Sequence, residues 1–189
     1  PKNAEAYALM AAAHMDEGDH AAALPLLEKA GEIQPKLTRN RLNLAVANIN
    51  LGHLSEAENQ LDVIVDERPK FPLAHFHLGL VYEEEGRLPE ARAAYAEEVE
   101  LFPNNMPARF NLGNVLLALG DAAGAERELQ TLIEKTPESA KPYLLLARVL
   151  LQQGREMAEV ERLARDGLAR AEAADLKVLG YYILADVLE

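Results

Sequence analysis

Five histidines, at positions 14, 20, 53, 75 and 77, and two serines, at 55 and 139, are the obvious candidates for chemistry in this sequence, and no cysteine accompanies them. Catalysis needs a nucleophile, a base or a metal held in a preorganised pocket, and that inventory is poor. His75 and His77 stand two residues apart on a helical stretch, so they point to different sides and cannot share a metal as a pair spaced by four would. His20 and His53 fall in turn segments. Without cysteine there is no disulfide framework, no thiolate ligand and no thiol nucleophile. The glycines are isolated, five of them at one constant interval, unlike the clustered glycines that cradle phosphates or dinucleotides. The expectation is no enzymatic site, no metal and no cofactor.

Charge limits the partners. A net charge of −12 argues against nucleic acid, whose backbone is bound by clustered Lys and Arg, and favours basic or neutral partners. The run Glu83-Glu84-Glu85 closes a helical stretch, where carboxylates meet the negative end of the helix dipole. It reads as a solvated helix end, the commoner case, or as a contact for a basic partner. With 49% hydrophobic and 26% charged residues the chain can bury an ordinary core. There is no apolar run of the roughly 18 residues a membrane span requires, and Pro1-Lys2-Asn3-Ala4-Glu5 lacks the features of a signal peptide, so a soluble chain of cytoplasm or periplasm is expected.

The elements that would position any site come from a repeat. Gly18, Gly52, Gly86, Gly120 and Gly154 recur at one constant interval, and the same interval links Pro35, Pro69, Pro103 and Pro137, Ala23, Ala57, Ala91 and Ala125, and Met10, Leu44, Leu78, Leu112 and Leu146. A small residue follows each of the last set, as Ala11, Ala45, Gly79, Gly113 and Ala147, where two helices would approach closely. Apolar residues such as Leu112, Val115, Leu116 and Leu119 recur at helical spacing, the glycine suits a C-cap, and a second amphipathic run ends at the proline. Each unit is helix, turn, helix. Pro72, Pro107 and Pro142 fall in the first turn of opening helices, where the missing N–H has no partner to lose.

These residues resemble the tetratricopeptide repeat family, whose pattern places Leu-Gly at positions 7 and 8, Tyr at 11, Gly at 15, Ala at 20, an aromatic at 24 and Pro at 32. The third unit fits best, through Leu78-Gly79, Tyr82, Gly86, Ala91, Tyr95 and Pro103. The resemblance implies an all-α, right-handed superhelical solenoid of antiparallel hairpins, with about eleven helices. It also implies one repeat domain over 1–189, with units 4–37, 38–71, 72–105, 106–139 and 140–177 and a partial unit over 178–189. Counting charged residues gives −4, −1, −5 and −2 for the first four units and +1 for 140–177. Pro1, one repeat interval before Pro35, and Glu189, inside an opening helix, read as the ends of a piece of a longer array. The segment Tyr181-Tyr182-Ile183-Leu184-Ala185-Asp186 is loosely similar to tails of such arrays in bacterial sulfatase-type and secretion-related proteins, which sets no function.

Departures from the pattern carry expectations of their own. Pro25, inside a second helix, should bend it. Glu98 stands where a small buried residue is usual and needs a partner, with Arg109 the candidate. Beyond Gly154, Leu184-Ala185 takes the place of the Leu-Gly pair four residues late, so the last loop between units should be longer.

Positions 2, 5, 9, 12 and 13 of the opening helices lie opposite the packing stripe and should be polar if they faced only water. They carry instead Leu42, Val46 and Ile49, then Phe76 and Leu80, Phe110 and Leu117, and Leu144 and Leu151. Position 6 adds a polar ladder of Asn43, His77 and Asn111. In the resembled family this side is the concave surface that holds a peptide or partner helix. The candidate groove is therefore Asn43, Phe76, His77, Phe110 and Asn111, walled by Leu42, Leu80, Leu117 and Leu144. The alternative is that neighbouring helices bury these side chains against each other. The clamp by which some members bind chaperone C-terminal carboxylates is disfavoured, because its slots hold Ala8, Ala12, Asn43, Leu73 and His77, of which only the Asn matches. A scaffold binding a protein or peptide segment is expected, without nucleic acid or membrane insertion. The alternatives are an assembly module that forms homo-oligomers through its terminal faces or stacks on further repeats, and a non-catalytic extension of a larger enzyme.

Overall fold

Each of the five periodic glycines adopts positive φ, between 64° and 81°, just beyond the end of a helix. That is the left-handed turn that only glycine takes without strain, and it reverses the chain once in every repeat. In a computed structural model that describes residues 3–188, with side chains through Val187, eleven helices and no strand are found among the described residues. They are α1 (Ala4–Asp16), α2 (His20–Ile33), α3 (Thr38–Asn50), α4 (Leu54–Glu67), α5 (Ala74–Glu84), α6 (Leu88–Leu101), α7 (Met106–Ala118), α8 (Ala122–Lys135), α9 (Ala140–Gln152), α10 (Met157–Arg170) and α11 (Ala174–Leu188). Pro1 and Glu189, read from the sequence as ends of units, lie outside the described residues.

The packing divides the chain into two units, Pro1–Phe102 and Pro103–Glu189. In the first, α1 to α6 form three antiparallel hairpins, each packed on the next. In the second, α7 with α8 and α9 with α10 form two more, and α11 packs on both α10 and α9. Opening helices start at 4, 38, 106 and 140, where the sequence places the starts of units. Asn3, Asp19, Asn105 and Asp121 cap α1, α2, α7 and α8 by accepting from first-turn N–H groups.

The alanine ladder is the inner seam: Ala23, Ala57, Ala91 and Ala125 are fully buried. Around it the first unit gathers Leu42, Leu61, Ile64, Leu78 and Val81, and the second Leu129, Leu146, Val149, Leu150, Val160 and Ile183. Each such buried aliphatic side chain contributes about 1.5–3 kcal/mol. The close approaches are real but unequal. A Cβ at Gly79 would collide with the ring of Tyr95, whereas one at Gly113 would meet Leu129 at an ordinary 3.8 Å.

Several expectations are corrected. Helix α5 starts at Ala74, so Pro72 precedes it rather than occupying its first turn, because Leu73 takes φ +69° at the cap. Glu98, buried to 1% exposure, meets this break: its carboxylate accepts from the N–H of Leu73 at 3.1 Å and of Phe76 at 3.3 Å. Arg109 forms its ion pair with Glu128 instead, inside its own unit. The last loop, 171–173, is not lengthened, since α11 opens at 174, as far beyond the start of α9 at 140 as that start lies beyond the start of α7 at 106. The tight point of α11 is Gly180, where a Cβ would strike Leu168 and crowd Leu144, rather than Leu184-Ala185. Pro25, exposed, lies inside α2, which continues to Ile33.

Candidate functional site

The residues singled out from the sequence fall on the opening helices, but packing treats them differently. Leu42 and Leu144 are core. Leu42 is 4% exposed among Ala45, Ala57, Leu61 and Leu78, and Leu144 is fully buried. Its Cδ2 lies 2.6 Å from where a Gly167 Cβ would stand and 3.2 Å from that of Gly180, so the side chain fills a slot that two glycines leave open. Neither leucine is a wall available to a partner. Phe76, Leu80, Phe110 and Leu117 are half-buried, as are Asn43, His77 and Asn111.

In the first unit, Asn43 lines a cleft of about 520 Å³ with Glu5, Ala8, Leu9, Ala12, Arg39 and Asn40. Leu9 is 72% exposed there, an apolar surface that sequence reasoning missed. It stands at position 6 of its unit, in register with Asn43, and that register was the available signal. Phe76 lies further along, its ring edge-on to His77 at 5.2 Å and tilted to Tyr95 at 6.0 Å. Burial pushes the His77 imidazole down to about 4, and its Nδ1 has no hydrogen-bond partner. The ring is therefore neutral at physiological pH and offers polar atoms rather than a charge. His75 instead meets the Pro69 carbonyl, so the two histidines part as their spacing requires.

The acidic run beside this face is largely used internally. Arg87 reaches Glu85 at 2.8 Å, Glu58 at 2.9 Å and Glu90 at 3.2 Å and lies 4.3 Å over the Tyr82 ring. Glu83 accepts from the Tyr95 hydroxyl at 2.8 Å. Burial, and then Glu58 and Asp66, push the nearby Asp62 carboxyl up from its ordinary value.

In the second unit Phe110 separates two clefts. One, of about 550 Å³, is lined by Asn111, Met106, Leu132, Glu138 and Lys141 among others. The other, of about 230 Å³, is lined by Phe110, Asn114, Lys141, Leu145, Leu176 and Leu179. The Lys141 ammonium lies 5.9 Å from the centre of the Phe110 ring. Aromatic and aliphatic surface with a few polar groups is the usual make-up of a binding site. Lys141, Leu176 and Leu179 are not among the residues singled out from the sequence. Lys141 sits one turn before Leu145 on the same helix face, and that spacing could have found it.

A sequence profile of the tetratricopeptide repeat matches residues 14–78 and 82–149. The chain belongs to the tetratricopeptide repeat family. Solved tetratricopeptide structures are similar over nearly all of it. A thermophilic repeat protein of Thermus thermophilus, TTC0263, is 21% identical, with 96% of this chain and 99% of that one covered and a TM-score of 0.68. PilF of Pseudomonas aeruginosa is 19% identical over 96% and 83% of the two chains, with a TM-score of 0.82. YrrB, described as having an unusual peptide-binding site, is 16% identical over 96% and 93%, with a TM-score of 0.77. Among curated proteins, the O-mannosyl-transferase Tmtc1 of Drosophila melanogaster is 28% identical over 120 residues, covering 61% of this chain. This chain spans 14% of that protein's length. Among the described residues no helix is long and apolar enough to cross a membrane.

Proposed function

We propose that this chain is a protein-interaction scaffold that holds a peptide or helix of a partner against the opening-helix faces of its repeats. The observation that carries this reading is the half-exposed set Phe110, Asn111 and Leu117 in the second unit, matched by Phe76, His77 and Leu80 in the first. Aromatic rings bordered by polar groups supply most of the energy of an interface when water is excluded from them. A photoreactive side chain at Leu117 is expected to trap a partner from an extract of the source cell, whereas one at Arg127, on the exposed side of α8, is not. Equal trapping from both positions would contradict the reading.

A second reading, assembly, has its own observation. On α11, Val178 is 68% exposed and Tyr181 and Tyr182 are each 65% exposed, one apolar stripe spaced by three and four residues. Light scattering at rising concentration should show self-association that Val178→Lys with Tyr181→Lys abolishes. A monomer at every concentration would remove this reading and leave the scaffold untouched.

A further inference from the structure

The excess negative charge of the chain is not shared evenly. Residues 1–102 hold nine basic and eighteen acidic side chains, and residues 103–189 hold ten and thirteen. Within the second unit most arginines are neutralised in place. Arg109 pairs with Glu128, Arg155 with Glu126 at 3.6 Å, Arg162 with Asp166 at 3.3 Å, Arg165 with Glu161 at 2.7 Å and Arg170 with Asp166 at 3.8 Å. Lys141 and Arg148 have no carboxylate partner among the described residues. Both are exposed, and with Leu145 they stand at i, i+4 and i+7 along α9, so they share one face of it. Leu145 and Lys141 line the 230 Å³ cleft beside Phe110, Leu176 and Leu179, and no carboxylate lines that cleft.

We infer that this face of α7, α9 and α11 docks an acidic peptide segment carrying an apolar side chain. Phe110, Leu176 and Leu179 take the apolar side chain over a floor made by buried Leu145, and Lys141 and Arg148 receive the carboxylates on either side of it. This rests on the scaffold reading and names the partner's chemistry, which is opposite to what the net charge suggests. Charges separated by more than about 8 Å through solvent are largely screened at physiological salt, so Lys141 at the cleft and Arg148 further along the same face of α9 decide more than the summed charge of the chain does. Complementary charge sets which partner docks and how fast, while the apolar contact holds it. Lys141 is suited to this because its ammonium, over the Phe110 ring, stands at the same place as the apolar surface it would serve.

The test uses the full chain and three fluorescent peptide pools. All carry Leu or Phe at every third position, with the remaining positions filled by Asp and Glu, by Lys and Arg, or by Ser and Gln. At physiological salt the acidic pool should bind about tenfold more tightly than the neutral one, and the basic pool weakest. The double variant Lys141→Glu, Arg148→Glu, whose fold is checked by circular dichroism, should reverse the order of the acidic and basic pools. Binding of the neutral pool as tight as that of the acidic pool, or preference for the basic pool, would overturn the acidic assignment and leave the groove standing. An acidic preference that survives the double variant would place the cations elsewhere and also overturn it. No binding by any pool would overturn this inference together with the scaffold reading on this face.

Discussion

The carboxylate of Glu98, on the second helix of the third hairpin, accepts from the backbone N–H of Leu73 at 3.1 Å and so caps a helix that its own sequence leaves uncapped. Leu73 takes left-handed φ and supplies no side-chain acceptor, and Phe76 donates to the other oxygen of the same carboxylate. The buried charge is offset by two N–H groups at the positive end of a helix. Glu98→Ala should therefore destabilise the first unit by about 2 kcal/mol, the cost of losing the cap and leaving two part-buried donors unmet, and Glu98→Gln by less. Urea denaturation of the three proteins checks this, and an Ala variant as stable as wild type would show the cap to be idle.

Gly79 and Gly113 occupy equivalent places in successive repeats and should respond differently. At Gly79 a methyl would enter the Tyr95 ring, which is fully buried and hydrogen-bonded to Glu83. Gly79→Ala is expected to cost about 1–3 kcal/mol through overpacking. At Gly113 the space is adequate, and Ala should be neutral or stabilising by up to about 1 kcal/mol through helix propensity. Thermal melting of both variants decides it, and equal losses would contradict the packing described.

The contrast between these glycines marks how far the sequence could be read. Gly18 to Gly154, the alanine seam and the proline ladder specify hairpins at fixed intervals, because turn chemistry and helical periodicity are local. What the face opposite the seam does is not local. Leu42 and Leu144 occupy the same repeat position as Phe76 and Phe110, yet both are core, and for Leu144 the cause is a slot made by Gly167 and Gly180, far along the chain. The start of α5 departs from its expected place because no sequence rule puts a leucine at positive φ. That conformation becomes intelligible only with Glu98 beside it.

His77 makes the first unit sensitive to acid. Its imidazole titrates near 6.5 when unfolded and at about 4 when folded, because burial disfavours the cation. Between those values the unfolded chain binds more protons, so this contribution is full above about pH 6.5 and is lost as the pH falls, levelling below 4. The loss is at most about 3 kcal/mol. Chemical denaturation from pH 7 to 4, for wild type and His77→Gln, isolates it from the carboxylates. The variant should lose less stability over that range, and parallel curves would contradict the assignment.

The central claim is that rings on the opening-helix faces serve a partner rather than the core. It is tested most directly by pairing stability with affinity for Phe76→Ala, Phe110→Ala and the core control Leu78→Ala. Leu78 is 5% exposed, and its truncation should cost about 2–5 kcal/mol of folding stability. The account predicts that both Phe variants fold clearly better than this control. It also predicts that Phe110→Ala binds the partner trapped from Leu117, in the same unit, more weakly by about 2 kcal/mol, a factor of roughly thirty. Phe variants that unfold as readily as the control, with Phe110→Ala binding that partner at undiminished affinity, would assign the rings to the core and contradict the account.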